Sequence, residues 1–229
     1  MDIERTFSAI GGIFLSPVSK IKTELDSVDA FIFDWDGVFN AGIKTGDTGS
    51  PFSEVDSMGI NLLRFSRWLM NHTIMPVFII TGENNPSAVR LSQREHYNAI
   101  FINFLDKSKA LKIVEEKYRN ERDKLAIVFD DVLDIRIAHV VRLAFCIGRK
   151  STPLFENYIR KNGICDYITG SAGNEYAVRE VCELIMGIEG GYTKTLEERI
   201  VYSNSYQEYL AERNRTETGI IDSKEIFTV

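Results

Sequence analysis

The sequence predicts an α/β fold built on a doubly wound, Rossmann-like parallel sheet. Three observations carry this expectation. Short apolar runs of strand length alternate with helical patterns along the chain. The runs are rich in Ile, Val and Phe and apolar on both faces, as strands buried between two helical layers are. Several of them end on acidic or hydroxyl residues, at the sheet edge where open α/β folds bind their ligands. The 229 residues suffice for one such domain with extensions, and 44% hydrophobic with 26% charged content is that of a globular protein.

In chain order, residues 1–27 form an N-terminal extension. Its run Ile10 to Leu15 holds two glycines and reads as a segment packed on the domain. The domain itself spans residues 28–189. Its first strand, Ala30 to Phe33, ends at Asp34. Val38 to Val55 contains Gly42, Gly46, Gly49 and Pro51 and is expected to form a β-hairpin flap. Gly59 to Met70 places Ile60, Leu63, Phe65 and Leu69 at helical spacings. Ile74 to Ile80 is a strand ending at Thr81-Gly82. Asp106 is a good N-cap for a helix from Lys107 to Tyr118, with Leu111, Val114 and Tyr118 on one stripe.

The run Lys124 to Phe129 ends at Asp130-Asp131, and Leu143 to Ile147 ends at Gly148. Ser151-Thr152-Pro153 opens a further helix, with proline near its first turn. Tyr176 to Met186, carrying Val178, Cys182 and Leu184, is the last helix of the domain. Residues 190–229 make a charged tail in which Tyr192 to Arg213 reads as one helix ending near Asn214, followed by a mobile remainder.

Composition excludes several function classes. The net charge of −6 and the lack of a basic run argue against nucleic-acid and anionic-membrane partners. No apolar stretch approaches the ~18–20 residues that cross a bilayer. The start Met1-Asp2-Ile3-Glu4-Arg5 lacks the basic flank of a signal peptide. Cys146, Cys165 and Cys182 are odd in number and widely spaced, which fits reduced, buried thiols of a cytoplasmic protein.

Four pieces carry chemistry. Asp34 and Asp36 emerge two residues apart at a strand end with Gly37 behind them. Such a pair can hold Mg²⁺, which takes oxygen ligands, and one carboxylate can attack phosphorus while the other moves protons. Read alone, they are also compatible with plain loop aspartates. Thr81-Gly82 offers a hydroxyl and backbone N–H groups to a phosphoryl oxygen, or is simply a turn. Lys107 lies in the first turn of a helix, where the dipole disfavours a cation, so an anion nearby is expected. A solvated lysine is the plainer reading, and Lys109 is a rival. Asp130-Asp131, with Asp134 three residues on, suits the second half of a metal site, or a helix cap. His72, His96 and His139 belong to no motif, and Trp35 is expected to pack on neighbouring loops.

Together and in this order, the four pieces resemble the haloacid dehalogenase superfamily. The resemblance implies Asp34 as nucleophile and metal ligand, and Asp36 as acid/base and metal ligand through its carbonyl. It further implies Thr81, Gly82 and Lys107 as phosphate ligands and Asp130 as a metal ligand, with Asp131 and Asp134 as further candidates. From about residue 28 to 187 the chain is similar to the 3-deoxy-D-manno-octulosonate 8-phosphate phosphatases, which lack a large cap domain. Matching features are Asp34-Trp35-Asp36-Gly37-Val38, Phe52 with Asp56 and Gly59-Ile60, Ile79-Ile80-Thr81-Gly82, Asp106-Lys107, Asp130-Asp131 and Ala177-Val178-Arg179-Glu180. The last motif makes Arg179 a candidate site residue.

The resemblance implies Mg²⁺ as cofactor, a small phosphorylated metabolite as substrate, and a homotetramer assembled through the 38–55 segment. Five positions depart from the family pattern: Glu83 stands for arginine, Ser50 for lysine, Phe129 for glycine, Leu133 for asparagine, and Gly173-Asn174 for a double glycine. The expectation is therefore a phosphatase with altered recognition of the sugar acid. The alternative is a catalytically weakened member serving as an oligomeric regulatory module.

Overall fold

The computed structural model describes residues 2–226. Chain order runs α1 (Ile3–Ala9), β1 (Ile13–Phe14), α2 (Val18–Leu25), β2 (Ala30–Asp34), α3 (Glu54–Asn71), β3 (Val77–Ile80), α4 (Pro86–Arg94), β4 (Ala99–Ile102) and α5 (Lys107–Tyr118). It continues with β5 (Leu125–Phe129), α6 (Ile135–Ala138), β6 (Leu143–Cys146), α7 (Pro153–Asn162), β7 (Tyr167–Ile168), α8 (Ala177–Glu189), α9 (Tyr192–Ile200), α10 (Asn204–Arg213), β8 (Gly219–Asp222) and α11 (Ser223–Ile226). No helix among the described residues is long and apolar enough to cross a membrane.

The sheet has eight strands in the order β1-β7-β6-β5-β2-β3-β4-β8. All neighbours are parallel except β1, which pairs antiparallel with β7. Because strand side chains alternate, each central strand feeds both faces. Phe31, Phe33, Val77, Ile79, Ile100, Ala126 and Val128 point into a core shared with α2, α3 and α8. Ala30, Ile32, Phe78, Ile80, Phe101, Ile127 and Phe129 point into a second core with α5 and α7. Burial on both faces explains why the strands read as continuous apolar runs rather than alternating ones.

The register matters for function. Phe33 pairs with Val128 and Asp34 with Ile80. The carboxyl ends of β2, β3 and β5 therefore finish side by side.

Helix α3 is buried almost all round because a third cluster, of Phe65, Trp68, Tyr206 and Tyr209, packs α10 on its outer side. Two of its arginines tie it to neighbouring elements. Arg64 donates to the carbonyls of Met75 (3.2 Å), Glu95 (2.7 Å) and His96 (3.2 Å). Arg67 pairs with Glu189 at 2.5 Å. These bonds tie α3 to the entry of β3, to the end of α4 and to the end of α8.

Three expectations are corrected here. Residues 38–55 form no strand and hence no β-hairpin: residues 38–53 fold as a loop with a single 3-10 turn at Gly46–Thr48, and Glu54 and Val55 already belong to α3. Asn40 organises this loop, its Oδ1 accepting from the Gly42 N–H (2.8 Å) and its Nδ2 donating to the Pro51 carbonyl (3.0 Å). Side-chain bonds of this kind take the place of a ladder. The tail helix breaks in two at residues 201–203, where the Ser203 hydroxyl caps α10 by accepting from the Tyr206 N–H (3.2 Å). The remainder is ordered through residue 226: β8 pairs with β4, and Asn103 donates to Asp222 at 2.9 Å. Met1 and residues 227–229, the ends of the expected extension and tail, lie outside the described residues.

Asp56, in the first turn of α3, is fully buried and accepts the Arg179 N–H of α8 at 3.0 Å. Its second oxygen has no partner among the described residues. Burial raises its carboxyl to about 7, against the pull of the Arg179 N–H. An unfolded aspartate ionises near about 4. Between about pH 4 and 7 the folded chain thus holds a proton that the unfolded chain has lost, so this group makes stability fall as pH rises through that window and level off above it. Asp56→Asn keeps the acceptor and removes the titration. It is expected to raise Tm at pH 8, by on the order of 2–4 kcal/mol in stability, and to flatten the Tm profile between pH 4 and 7. Superimposable profiles for the two proteins would refute this.

Candidate active site

The carboxyl ends of β2, β3 and β5 open into a cavity of about 260 Å³. Asp34 ends β2, and Asp130 follows β5 directly. Asp134 closes a 3-10 turn begun at Val132. One carboxylate oxygen from each of the three lies within 4.8 Å of the others, and all three side chains are buried. Like charges at this spacing repel, and water is largely excluded, so the cluster needs compensation.

Lys107 supplies part of it. Its side chain is 4% exposed, and its ammonium donates to Asp34 at 2.5 Å and to Asp134 at 2.7 Å. Burial opposes its charge, but the two carboxylates outweigh burial and raise its pKa. Arg149, from the loop after β6, donates to Asp130. The compensation is incomplete. Burial, reinforced by the Asp34 charge, pushes both Asp130 and Asp134 upward despite Arg149 and Lys107. One Asp134 oxygen is buried with no partner among the described residues. Three converging oxygen donors, an excess of negative charge and an orphaned carboxylate oxygen fit a hard divalent cation such as Mg²⁺.

The backbone makes room for this arrangement at Gly37. Its φ is +86°, and a Cβ there would collide with Asp130 and Arg149.

The other expected residues are distributed around the cluster. Asp36 lines the same cavity but stands outside the trio, partly exposed, and accepts from Lys44 (2.6 Å) and from the Ser50 hydroxyl. Lys44 also pairs with Glu83 at 3.2 Å. Gly82 lines the cavity. Thr81 is fully buried, its N–H donating to Phe101 (2.9 Å) and its carbonyl accepting from Phe104 (3.1 Å). Asp131 lines the cavity but takes the capping role, accepting the Val132 N–H at 2.7 Å. Arg179 is not among the lining residues: it pairs with Glu183 at 2.7 Å, because α8 packs on α3 rather than on the strand ends. Trp35 is fully buried, stacks on Phe39 and donates to the Ser50 carbonyl at 3.2 Å, as its loop-packing reading requires.

Lys44 and Arg149 were not anticipated. Neither sits at a strand end in sequence. Lys44 reaches the site from the 38–55 loop and Arg149 from two residues beyond the expected strand end.

No family model matches the chain. Among curated proteins, the 3-deoxy-D-manno-octulosonate 8-phosphate phosphatase KdsC of Salmonella typhi is 26% identical over 179 residues, covering 76% of this chain and 88% of that protein. Among solved structures, the 3-deoxy-D-manno-octulosonate 8-phosphate phosphatase of Moraxella catarrhalis, in complex with magnesium ion, phosphate ion and KDO, superimposes with a TM-score of 0.63. The two are 24% identical over 78% of this chain and 97% of that one. A haloacid dehalogenase superfamily hydrolase (subfamily III A) of Legionella pneumophila gives a TM-score of 0.63 at 21% identity, over 80% of this chain and 94% of that one. The chain has the haloacid dehalogenase fold and, with its acidic site at the expected strand ends, resembles the 3-deoxy-D-manno-octulosonate 8-phosphate phosphatases.

Proposed function

We propose that the chain is a magnesium-dependent phosphatase that hydrolyses a small phosphate monoester, of the sugar or sugar-acid phosphate kind, through an aspartyl-phosphate on Asp34. The observation that carries this reading is the buried trio of Asp34, Asp130 and Asp134 clamped by Lys107. The resemblance to phosphatases of known substrate supports it. A regulatory module without catalysis would have no use for three buried carboxylates held at such electrostatic cost.

In the proposed chemistry, an Asp34 oxygen bonds to phosphorus as the ester P–O bond breaks. Asp36 delivers its proton to the departing alcohol oxygen. The resulting Asp36 carboxylate then takes a proton from water, whose oxygen attacks the phosphorus. The bond to Asp34 breaks, releasing inorganic phosphate and restoring both carboxyl groups to their starting states. Lys107 holds Asp34 oriented and balances charge at the phosphoryl group, with Gly82 in the same lining; Thr81, fully buried and outside that lining, enters only as the resemblance implies. A magnesium ion held by Asp34, Asp130 and Asp134, with the Asp36 carbonyl as the resemblance implies, supplies positive charge against the phosphoryl oxygens.

We further infer a cytoplasmic homotetramer. The cytoplasm is supported by three buried free thiols. The assembly is supported by the resemblance and by an apolar groove lined by Phe39, Ile43, Phe52 and Tyr176, in which Ile43 is 64% exposed.

Mg²⁺ is expected to raise Tm, with a gain near 2.7 kcal/mol at a hundred times its Kd. Asp130→Asn should lose most of that shift, and Gly37→Ala should lose it by displacing Asp130 and Arg149. An undiminished shift in both variants would mean the ion sits elsewhere.

Asp34→Asn is expected to cut turnover of a sugar phosphate by at least about a thousandfold while far-UV circular dichroism is unchanged, and chelation of Mg²⁺ should do the same to the native protein. Activity that survives either treatment excludes the Asp34 mechanism.

Light scattering at micromolar concentration should give four times the chain mass. A monomer mass would contradict the assembly.

A further inference from the structure

The phosphate site proposed above has a mouth whose chemistry points to the rest of the substrate. On one side stand Leu105 and Leu133, which line the same cavity as Asp34 and Lys107 and are 74% and 55% exposed. Val132, next to Leu133 in the chain, is 61% exposed as well. Isolated exposed leucines are ordinary, but here two flank a charged cavity from different loops, one before α5 and one after β5. The same lining holds Lys44, whose ammonium is taken by Asp36 (2.6 Å) and Glu83 (3.2 Å). The lining carries six carboxylates, on Asp34, Asp36, Glu83, Asp130, Asp131 and Asp134, against two lysines, Lys44 and Lys107, and Arg149, which reaches Asp130 from outside the lining. A divalent cation offsets no more than a bound phosphate brings. A further negative charge on the substrate would therefore enter a field already negative, with no uncommitted cation among the described residues of the lining to meet it.

We infer, resting on the phosphatase reading, that the substrate is a monophosphate ester of an uncharged alcohol that presents an apolar face to Leu105 and Leu133. A deoxygenated sugar edge, an alkyl chain or an aryl ring has the required chemistry. A second carboxylate does not. The two leucines are specificity-determining contacts for the leaving-group side of the ester: burying them and the apolar face of the alcohol removes both from water. The phosphoryl group sits deeper, against the buried acids.

The inference is tested by binding, with non-hydrolysable probes. Titration calorimetry of the full chain with Mg²⁺ measures Kd for methyl-, propyl-, butyl- and pentylphosphonate, and for 4-carboxybutylphosphonate. Kd is expected to tighten by about two- to fourfold per methylene, since a fully buried methylene contributes about 0.8 kcal/mol. The carboxylated probe should bind at least tenfold more weakly than pentylphosphonate. In the double variant L105S/L133N, both positions being exposed and so tolerant of exchange, the gain per methylene should vanish. A flat series, a carboxylated probe that binds as well as its alkyl counterpart, or a slope that survives in the double variant would overturn the inference and leave the phosphatase reading standing. If inorganic phosphate and methylphosphonate themselves fail to bind in the presence of Mg²⁺, both readings fall together.

Discussion

The site depends on one electrostatic constraint: three carboxylates are held out of water within 4.8 Å of one another, with a single buried ammonium between two of them. Removing charge from water is costly, and the cost is tolerated only where geometry supplies good partners. The parallel sheet provides that geometry. Because β2 sits between β3 and β5 in fixed register, Asp34 and Asp130 must emerge as neighbours. The turn after β5 then brings Asp134 back beside them, and α5 delivers Lys107 from its first turn. A lysine there is unfavourable for the helix dipole, and its two carboxylate partners outweigh that penalty.

Much of this was legible in the sequence because the relevant signals are local. The runs ending at Asp34, Ile80 and Phe129 have the composition of strands buried on both faces, and all three end in the structure where expected. The Asp106 cap likewise starts α5 where expected, its carboxylate accepting the Ser108 N–H. Asp134 is less conspicuous in the sequence than Asp130, because three intervening residues hide the turn that brings it inward. The strand Ala99–Ile102 and the helix Pro86–Arg94 are not legible in the sequence: four apolar residues are a faint signal, and the helix has only nine residues, with Ala88, Val89 and Leu91 as its apolar side.

What was not legible is set by long-range contacts. The 38–55 segment has the glycines of a hairpin, but a ladder needs two facing strands, and Asn40 bonds to Gly42 and Pro51 instead. Lys44 becomes a site residue only because that loop folds over the strand ends, where Asp36 and Glu83 meet it. Arg149 depends on β6 lying next to β5. Arg179 shows the reverse: a motif residue by resemblance, it is drawn by α8 packing into contact with α3 and Glu183.

The two ends of the chain finish the two margins of the sheet. β1 is added beside β7, and β8 beside β4. An unpaired margin is a template for another chain, and short outer strands of two and four residues leave little to copy. The order of synthesis makes the margins unequal. β1 precedes β7 in the chain and is present when its partner is made, whereas β4 is complete more than a hundred residues before β8 exists. During translation the flank of β4 therefore stands open until β8 has been made and has left the ribosome. A truncation or a stall before Gly219 would release a protein with its active-site scaffold assembled and one adhesive side uncovered.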